Sequence, residues 1–142
     1  MAAAASDDPL APDDLAALPE LNDEAVLNGI RMRFASNKIY TRINNLLIAM
    51  NPYQQLPIYT AEAMAEYKAA PVGSLPPHVY GTAAASFAGM LALHPQSIVI
   101  SGESGAGKSE TAKKVLQHLA FAASRGGSQS DGIEARILAS SP

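Results

Sequence analysis

SIVISGESGAGKSETAKKVLQHLAFAA, residues 97–123, sets a β-branched run, a glycine-rich turn and an amphipathic helical pattern end to end. Ile98, Val99 and Ile100 between serines predict a short buried strand. Residues 102–107 predict a tight turn, because glycine alone enters positive φ without steric cost. Lys108 opens a helix on which Ala112, Val115, Leu116, Leu119 and Ala123 share one face. Strand, glycine turn and helix in this order predict an α/β fold.

The turn GESGAGKS, residues 102–109, fits G-x-x-x-x-G-K-[ST] at every fixed position. Between a strand and a helix, this pattern predicts a phosphate-binding loop built from Gly102, Glu103, Ser104, Gly105, Ala106, Gly107, Lys108 and Ser109. Its glycines let successive backbone N–H groups converge on an anion, and a Cβ at Gly107 would crowd a phosphate. Lys108 brings a point charge to the β- and γ-phosphates of a nucleoside triphosphate, and the Ser109 hydroxyl is placed as a Mg²⁺ ligand. The helix that follows aims its positive end at the same anion. A glycine-rich surface turn before a chance lysine is the plainer reading; it leaves the adjoining strand and the Lys-Ser pair without a reason.

Upstream, Asn22 predicts the cap of a helix from Asp23 to about Ser36, with Val26, Leu27, Ile30 and Phe34 at helical spacing. Residues 39–42 and the apolar run 46–50 predict two strands joined at Asn44 and Asn45, the second buried on both faces. Residues 53–59 form a loop, Thr60 caps a short helix to about Lys68, and a further helix runs from about His78 to Leu93. Together with 97–101, the strands predict one mixed sheet flanked by helices. SRGGSQSDG (124–132) reads as a surface loop, and Ile133, Ile137 and Leu138 begin another amphipathic helix.

The bulk figures narrow the function classes. The chain has 142 residues, enough for one ordinary domain. Net charge is −3, which argues against a nucleic-acid or membrane-surface partner held by bulk charge. Cysteine is absent, so no disulfide or thiolate metal site is available. The first 13 residues, rich in Ala, Asp and Pro, predict a flexible arm, and no targeting segment, membrane span or internal repeat is apparent. His78, His94 and His118 lack metal-ligand spacing and read as surface or core residues. Lys113 and Lys114 read as a solvated helix face, and Glu103 as a salt-bridge partner rather than a base. Tyr53 and Tyr59 either pack their loop or stack on a base; composition leaves both open.

At these residues the chain resembles a known family, the myosin motor head. GESGAGKSE with TAKK (102–114) resembles that family's phosphate loop more closely than a general one, with Ser109 where threonine is more usual. LNDEAVLNGIRMRF (21–34), IYTRINNLLIAMNPYQQLPIY (39–59) and PPHVYGTAAASFAGM (76–90) resemble the first head helix, the strand pair with the purine-binding loop, and the Pro-Pro-His helix. ARILASSP (135–142) resembles the start of the next family helix. The resemblance covers residues 14–142, with 1–13 as the arm, and implies a partial P-loop NTPase fold.

What it implies is carried residue by residue. Asn51, Pro52 and Tyr59 are expected to hold adenine; ATP and Mg²⁺ are the implied cofactors. Gln55 stands where relatives often carry a basic residue, Asn44 where glycine is usual, and alanines fill much of 83–88. The implied protein is an actin-based ATPase motor, cytoplasmic and cytoskeleton-associated, meeting the actin filament through parts of the head outside these residues. Light chains and cargo are not predictable. The family's switch I (Asn-x-x-Ser-Ser-Arg) and switch II (Asp-x-x-Gly-Phe-Glu) patterns do not occur here, so the expected chain is the N-terminal portion of a head ending before switch I, with no catalytic residue of its own. Two alternatives stand beside it. A small metabolite kinase would need a strand-Asp pair after the loop, which is lacking. A truncated, non-enzymatic interaction module would use the same residues.

Overall fold

The structure, a computed structural model, describes residues 9–124. They divide into two compact units. One holds the chain up to Gln55 together with Ser74–His78; the other holds Leu56–Gly73 and the chain from Val79 onward.

The first unit contains a 3-10 turn (Leu15–Ala17), helix α1 (Asp23–Ala35) and strands β1 (Tyr40–Ile43) and β2 (Leu46–Ala49). The strands pair antiparallel with Tyr40 opposite Ala49 and Ile43 opposite Leu46. Asn44 makes the hairpin turn at φ 51°, a left-handed conformation that asparagine tolerates better than most residues. α1 starts where expected: Asn22 Oδ1 accepts from the Ala25 N–H at 2.9 Å. It stops at Asn37, whose φ of 58° breaks the helix.

The buried line of α1 differs from the expected one. Gly29 and Arg33 face inward, while Leu27 and Phe34 are exposed. Gly29 is there because a Cβ would come within 2.7 Å of Leu15 Cδ2. Arg33 is only 3% exposed and satisfies its guanidinium completely enough to be buried. Nε donates to Thr41 Oγ1 (2.9 Å), Nη2 to the Tyr40 carbonyl (2.8 Å) and Nη1 to Asp13 Oδ1 (2.7 Å). Nη1 also reaches the Ala11 carbonyl at 3.3 Å. The arm expected over residues 1–13 is therefore anchored at its end. Ala11 is buried, Asp13 pairs with Arg33, and the Arg42 N–H donates to the Asp13 carbonyl at 3.0 Å.

The second unit contains α2 (Ala61–Ala69), α3 (Val79–Leu91) and α4 (Lys108–Ala123). Thr60 Oγ1 caps α2 by accepting from Ala63 N–H at 3.2 Å. Lys68, at the end of α2, donates to the Phe121 and Ser124 carbonyls, both at 3.1 Å, and so ties α2 to the C-terminal end of α4, where a cation is favoured. Tyr80, Val79 and Ala83 of α3 and Val115, His118 and Ala120 of α4 are buried. Of the alanines between 83 and 88, only Ala83 is buried.

Two expectations about strands are corrected. Residues 97–101 carry no regular secondary structure and have no strand partner among the described residues; the described sheet has two strands, β1 and β2, paired with each other. The two-residue alternation is nonetheless present. Ile98 and Ile100 line an apolar cavity of about 420 Å³ with Phe87 and Met90 of α3 and Leu116 and Leu119 of α4, whereas Val99 is 87% exposed. The pattern thus records which side is apolar, and only a neighbouring strand would make a ladder of it. Likewise β2 is not buried on both faces: Leu46 is exposed and Leu47 and Ile48 are half-buried, so no layer covers both sides of the two-stranded ribbon. The mixed α/β character is as expected, with helices beside a small antiparallel sheet rather than one mixed sheet. Of the loop expected over 124–132 only Ser124 is described; the rest of it and the helix expected from Ile133 lie outside the described residues.

His118 is fully buried and stacks on Tyr80 with ring centroids 5.0 Å apart. Neither ring nitrogen has a hydrogen-bond partner among the described residues. Burial, and next the Lys68 charge, push its pKa below the ordinary histidine value. The unfolded chain then binds the proton more readily than the fold does. Stability contributed by the neutral ring is present above about pH 6.5 and is lost as pH falls below it. The unfolding temperature, followed by tyrosine near-ultraviolet circular dichroism, is expected to fall between pH 7 and 5. His118→Phe, which keeps a ring on Tyr80, is expected to flatten that slope. An unchanged slope would assign the pH response to other groups. No helix among the described residues is long and apolar enough to cross a membrane.

Candidate functional site

The loop from Gly102 to Gly107 connects residues 97–101 to α4, and its conformation rests on its glycines. Gly105 and Gly107 have φ of 81° and 96°, which side-chain-bearing residues rarely adopt. At Gly105 nothing lies within 4 Å of an added Cβ, so the requirement there is backbone conformation and not space. The Ala106 N–H donates to the Glu103 carbonyl at 3.2 Å and closes the turn.

Gly107 is the N-cap of α4 and supplies no side-chain cap, in contrast to Asn22 at α1 and Thr60 at α2. A helix leaves its first N–H groups without intrahelical acceptors, and these carry the positive end of its dipole. At α4 they open beside Lys108 and Ser109. The Lys108 side chain turns back over the loop, where Nζ donates to the Gly102 carbonyl at 2.7 Å and the Glu103 carbonyl at 2.8 Å. A cation, glycine-shaped backbone and a helix N-terminus thus meet at one exposed spot. Ser104 and Ser109 are exposed there too. Glu103 departs from expectation: its carbonyl serves the loop, and its carboxylate forms no ion pair among the described residues.

Next along α4, Lys113 pairs with Glu110 at 2.9 Å and holds that carboxyl below its usual pKa. Lys114 does something else. Its Nζ lies 4.7 Å from the centroid of the Tyr59 ring, so it is not simply part of a solvated face. Tyr59 also packs against Tyr80 at 6.1 Å with the rings at 74°. Tyr59 therefore belongs to the same unit as residues 102–109 and meets the helix that follows them.

Asn51 and Pro52 belong to the other unit and are half-buried. Asn51 Oδ1 accepts from the Tyr53 N–H at 2.9 Å, a side-chain turn that accommodates Tyr53 at φ 51°. Tyr53 itself is exposed, which favours Tyr59 as the tyrosine with an ordered setting. Lys114 and Tyr80 were not legible as neighbours of Tyr59. No sequence spacing links position 59 to 114, and Tyr80 reads only as core.

Comparison with known proteins bears on this arrangement. The family model "Myosin head (motor domain)" matches residues 12–142. Myosin-9 of Arabidopsis thaliana is 42% identical over 132 residues, covering 92% of this chain and 9% of the relative. The Protein OPAQUE1 of Zea mays is 41% identical over 133 residues, with the same two shares of 92% and 9%. Myosin type-2 heavy chain 2 of Schizosaccharomyces pombe is 40% identical over 131 residues, 92% of this chain and 6% of its own. The chain thus spans less than a tenth of the length of these relatives. With a family match over residues 12–142 and relatives about 40% identical across 92% of its length, the chain belongs to the myosin head (motor domain) family.

Proposed function

We propose that residues 102–109 bind the phosphates of Mg-ATP, that Asn51, Pro52 and Tyr59 hold its adenine, and that the chain is the nucleotide-binding part of an actin-based, cytoskeleton-associated motor. The observation that carries this reading is the convergence at α4: a glycine-shaped loop, a helix start without a side-chain cap, and the Lys108 ammonium folded over both. These are the groups that recognise a polyphosphate. Ser109, in the first turn of α4, is the hydroxyl placed to hold Mg²⁺, which when bound neutralises phosphate charge. Actin contact is assigned to other parts of a head. The metabolite-kinase alternative loses its ground with the family assignment.

The test separates base from phosphate. In a motor domain carrying these 142 residues, Tyr59→Ala is expected to weaken ATP binding while leaving inorganic triphosphate within twofold. Contacts between a base and an aromatic ring are worth roughly 1–3 kcal/mol, so ATP affinity is expected to fall by about fivefold to 150-fold in titration calorimetry. Equal losses for the two ligands would remove Tyr59 from the base site.

A further inference from the structure

The geometry points to Lys114 as a positioning residue for the base: its ammonium holds the Tyr59 ring in place, so that the ring is ordered before nucleotide arrives. The inference rests on the reading of Tyr59 as an adenine contact. Tyr59 is fixed from two directions. On one side stands Tyr80, 1% exposed and itself stacked on the buried His118 at 5.0 Å, which makes a rigid support. Over the ring stands Lys114 Nζ at 4.7 Å. The neighbouring Lys113 takes Glu110, leaving the carboxylate on that turn engaged by another cation. A cation over a tyrosine face is attracted by the ring quadrupole, and the attraction fixes the ring plane as well as its place.

The consequence for binding is one of order. A side chain that is already held does not have to be immobilised when the ligand docks, so affinity rises without a new ligand contact. The placement also connects the two ends of the proposed site. Lys114 is carried by the helix that starts at the phosphate loop, so the position of the tyrosine follows that of α4.

A mutant cycle in a motor domain carrying these residues tests this, with ATP and inorganic triphosphate as probes. Lys114→Met is expected to weaken ATP about two- to fivefold, as loss of one part-exposed cation–ring contact would, and to leave triphosphate unchanged. Lys114→Arg, which keeps a cation over the ring, is expected to restore ATP affinity. In a Tyr59→Leu background, Lys114→Met is expected to change nothing further. An equal loss for triphosphate would make Lys114 a phosphate contact and overturn the inference. A loss that persists without the tyrosine ring, or that arginine does not restore, would overturn it too. If Tyr59→Leu weakens ATP but Lys114→Met does not, the positioning role alone fails. If Tyr59→Leu itself leaves ATP binding intact, the adenine reading fails and takes this one with it.

Discussion

Lys108→Ala is expected to abolish measurable ATP affinity in a motor domain that carries these residues. The Lys108 ammonium lies over the loop, 2.7 Å from the Gly102 carbonyl and 2.8 Å from the Glu103 carbonyl, where a polyphosphate would meet it. Near a protein surface, one unit charge about 4 Å from another contributes roughly 4 kcal/mol, close to a thousandfold in affinity. Two phosphates share that charge in the proposed pose. The same hydrogen bonds also brace the loop, so the alanine variant loses both an anion partner and a strut. Binding of ATP and of inorganic triphosphate should fall together, unlike the Tyr59 case. Near-ultraviolet circular dichroism of the tyrosines should stay as in the parent, because none of them touches the loop in the contacts described above. An affinity for ATP within tenfold of the parent would refute the phosphate role of Lys108.

What was legible in the sequence was local. The caps at Asn22 and Thr60, the left-handed turn at Asn44 and the start of α4 after Gly107 all depend on neighbouring residues, and each is found where residue type places it. What depends on distant partners was not legible. The face of α1 was misread because burial followed Gly29 against Leu15 and the bonded Arg33, not the count of aliphatic side chains. A buried arginine is visible in sequence only as a charge, and its acceptors lie as far away as Ala11 and Thr41. The strand at 97–101 was read from β-branched residues, whose alternation was right, but a strand also needs a paired neighbour, and none pairs with it among the described residues. At the candidate site, the glycine-shaped turn and the helix start after it were legible because they depend on contiguous residues. The Tyr59–Lys114 pair was not, since it joins residues 55 positions apart that no motif links.

The purified 142-residue chain is expected to show no ATP hydrolysis above a Lys108→Ala blank, with or without actin filaments. Binding groups and hydrolytic groups are separable here. In the proposed site the loop and α4 supply the anion-binding groups, but phosphoryl transfer also requires an oriented water and stabilisation of the developing charge. The residue patterns that do this in the family, switch I and switch II, do not occur among these residues. Orientation of reactants can supply about 7 kcal/mol or more of a catalysed barrier, on the order of a hundred-thousandfold in rate. The packing argues in the same direction. Val99 is 87% exposed in a segment without a strand partner among the described residues, and Ile98 and Ile100 line an apolar cavity. An unpaired edge beside apolar surface invites association between chains, so light scattering should be recorded with turnover. Even a well-dispersed preparation that binds ATP is expected to match the blank, since solubility adds no water-orienting group. Steady turnover well above the blank and stimulated by actin would mean that the residues already present orient the attacking water, and would overturn the separation of binding from hydrolysis drawn here.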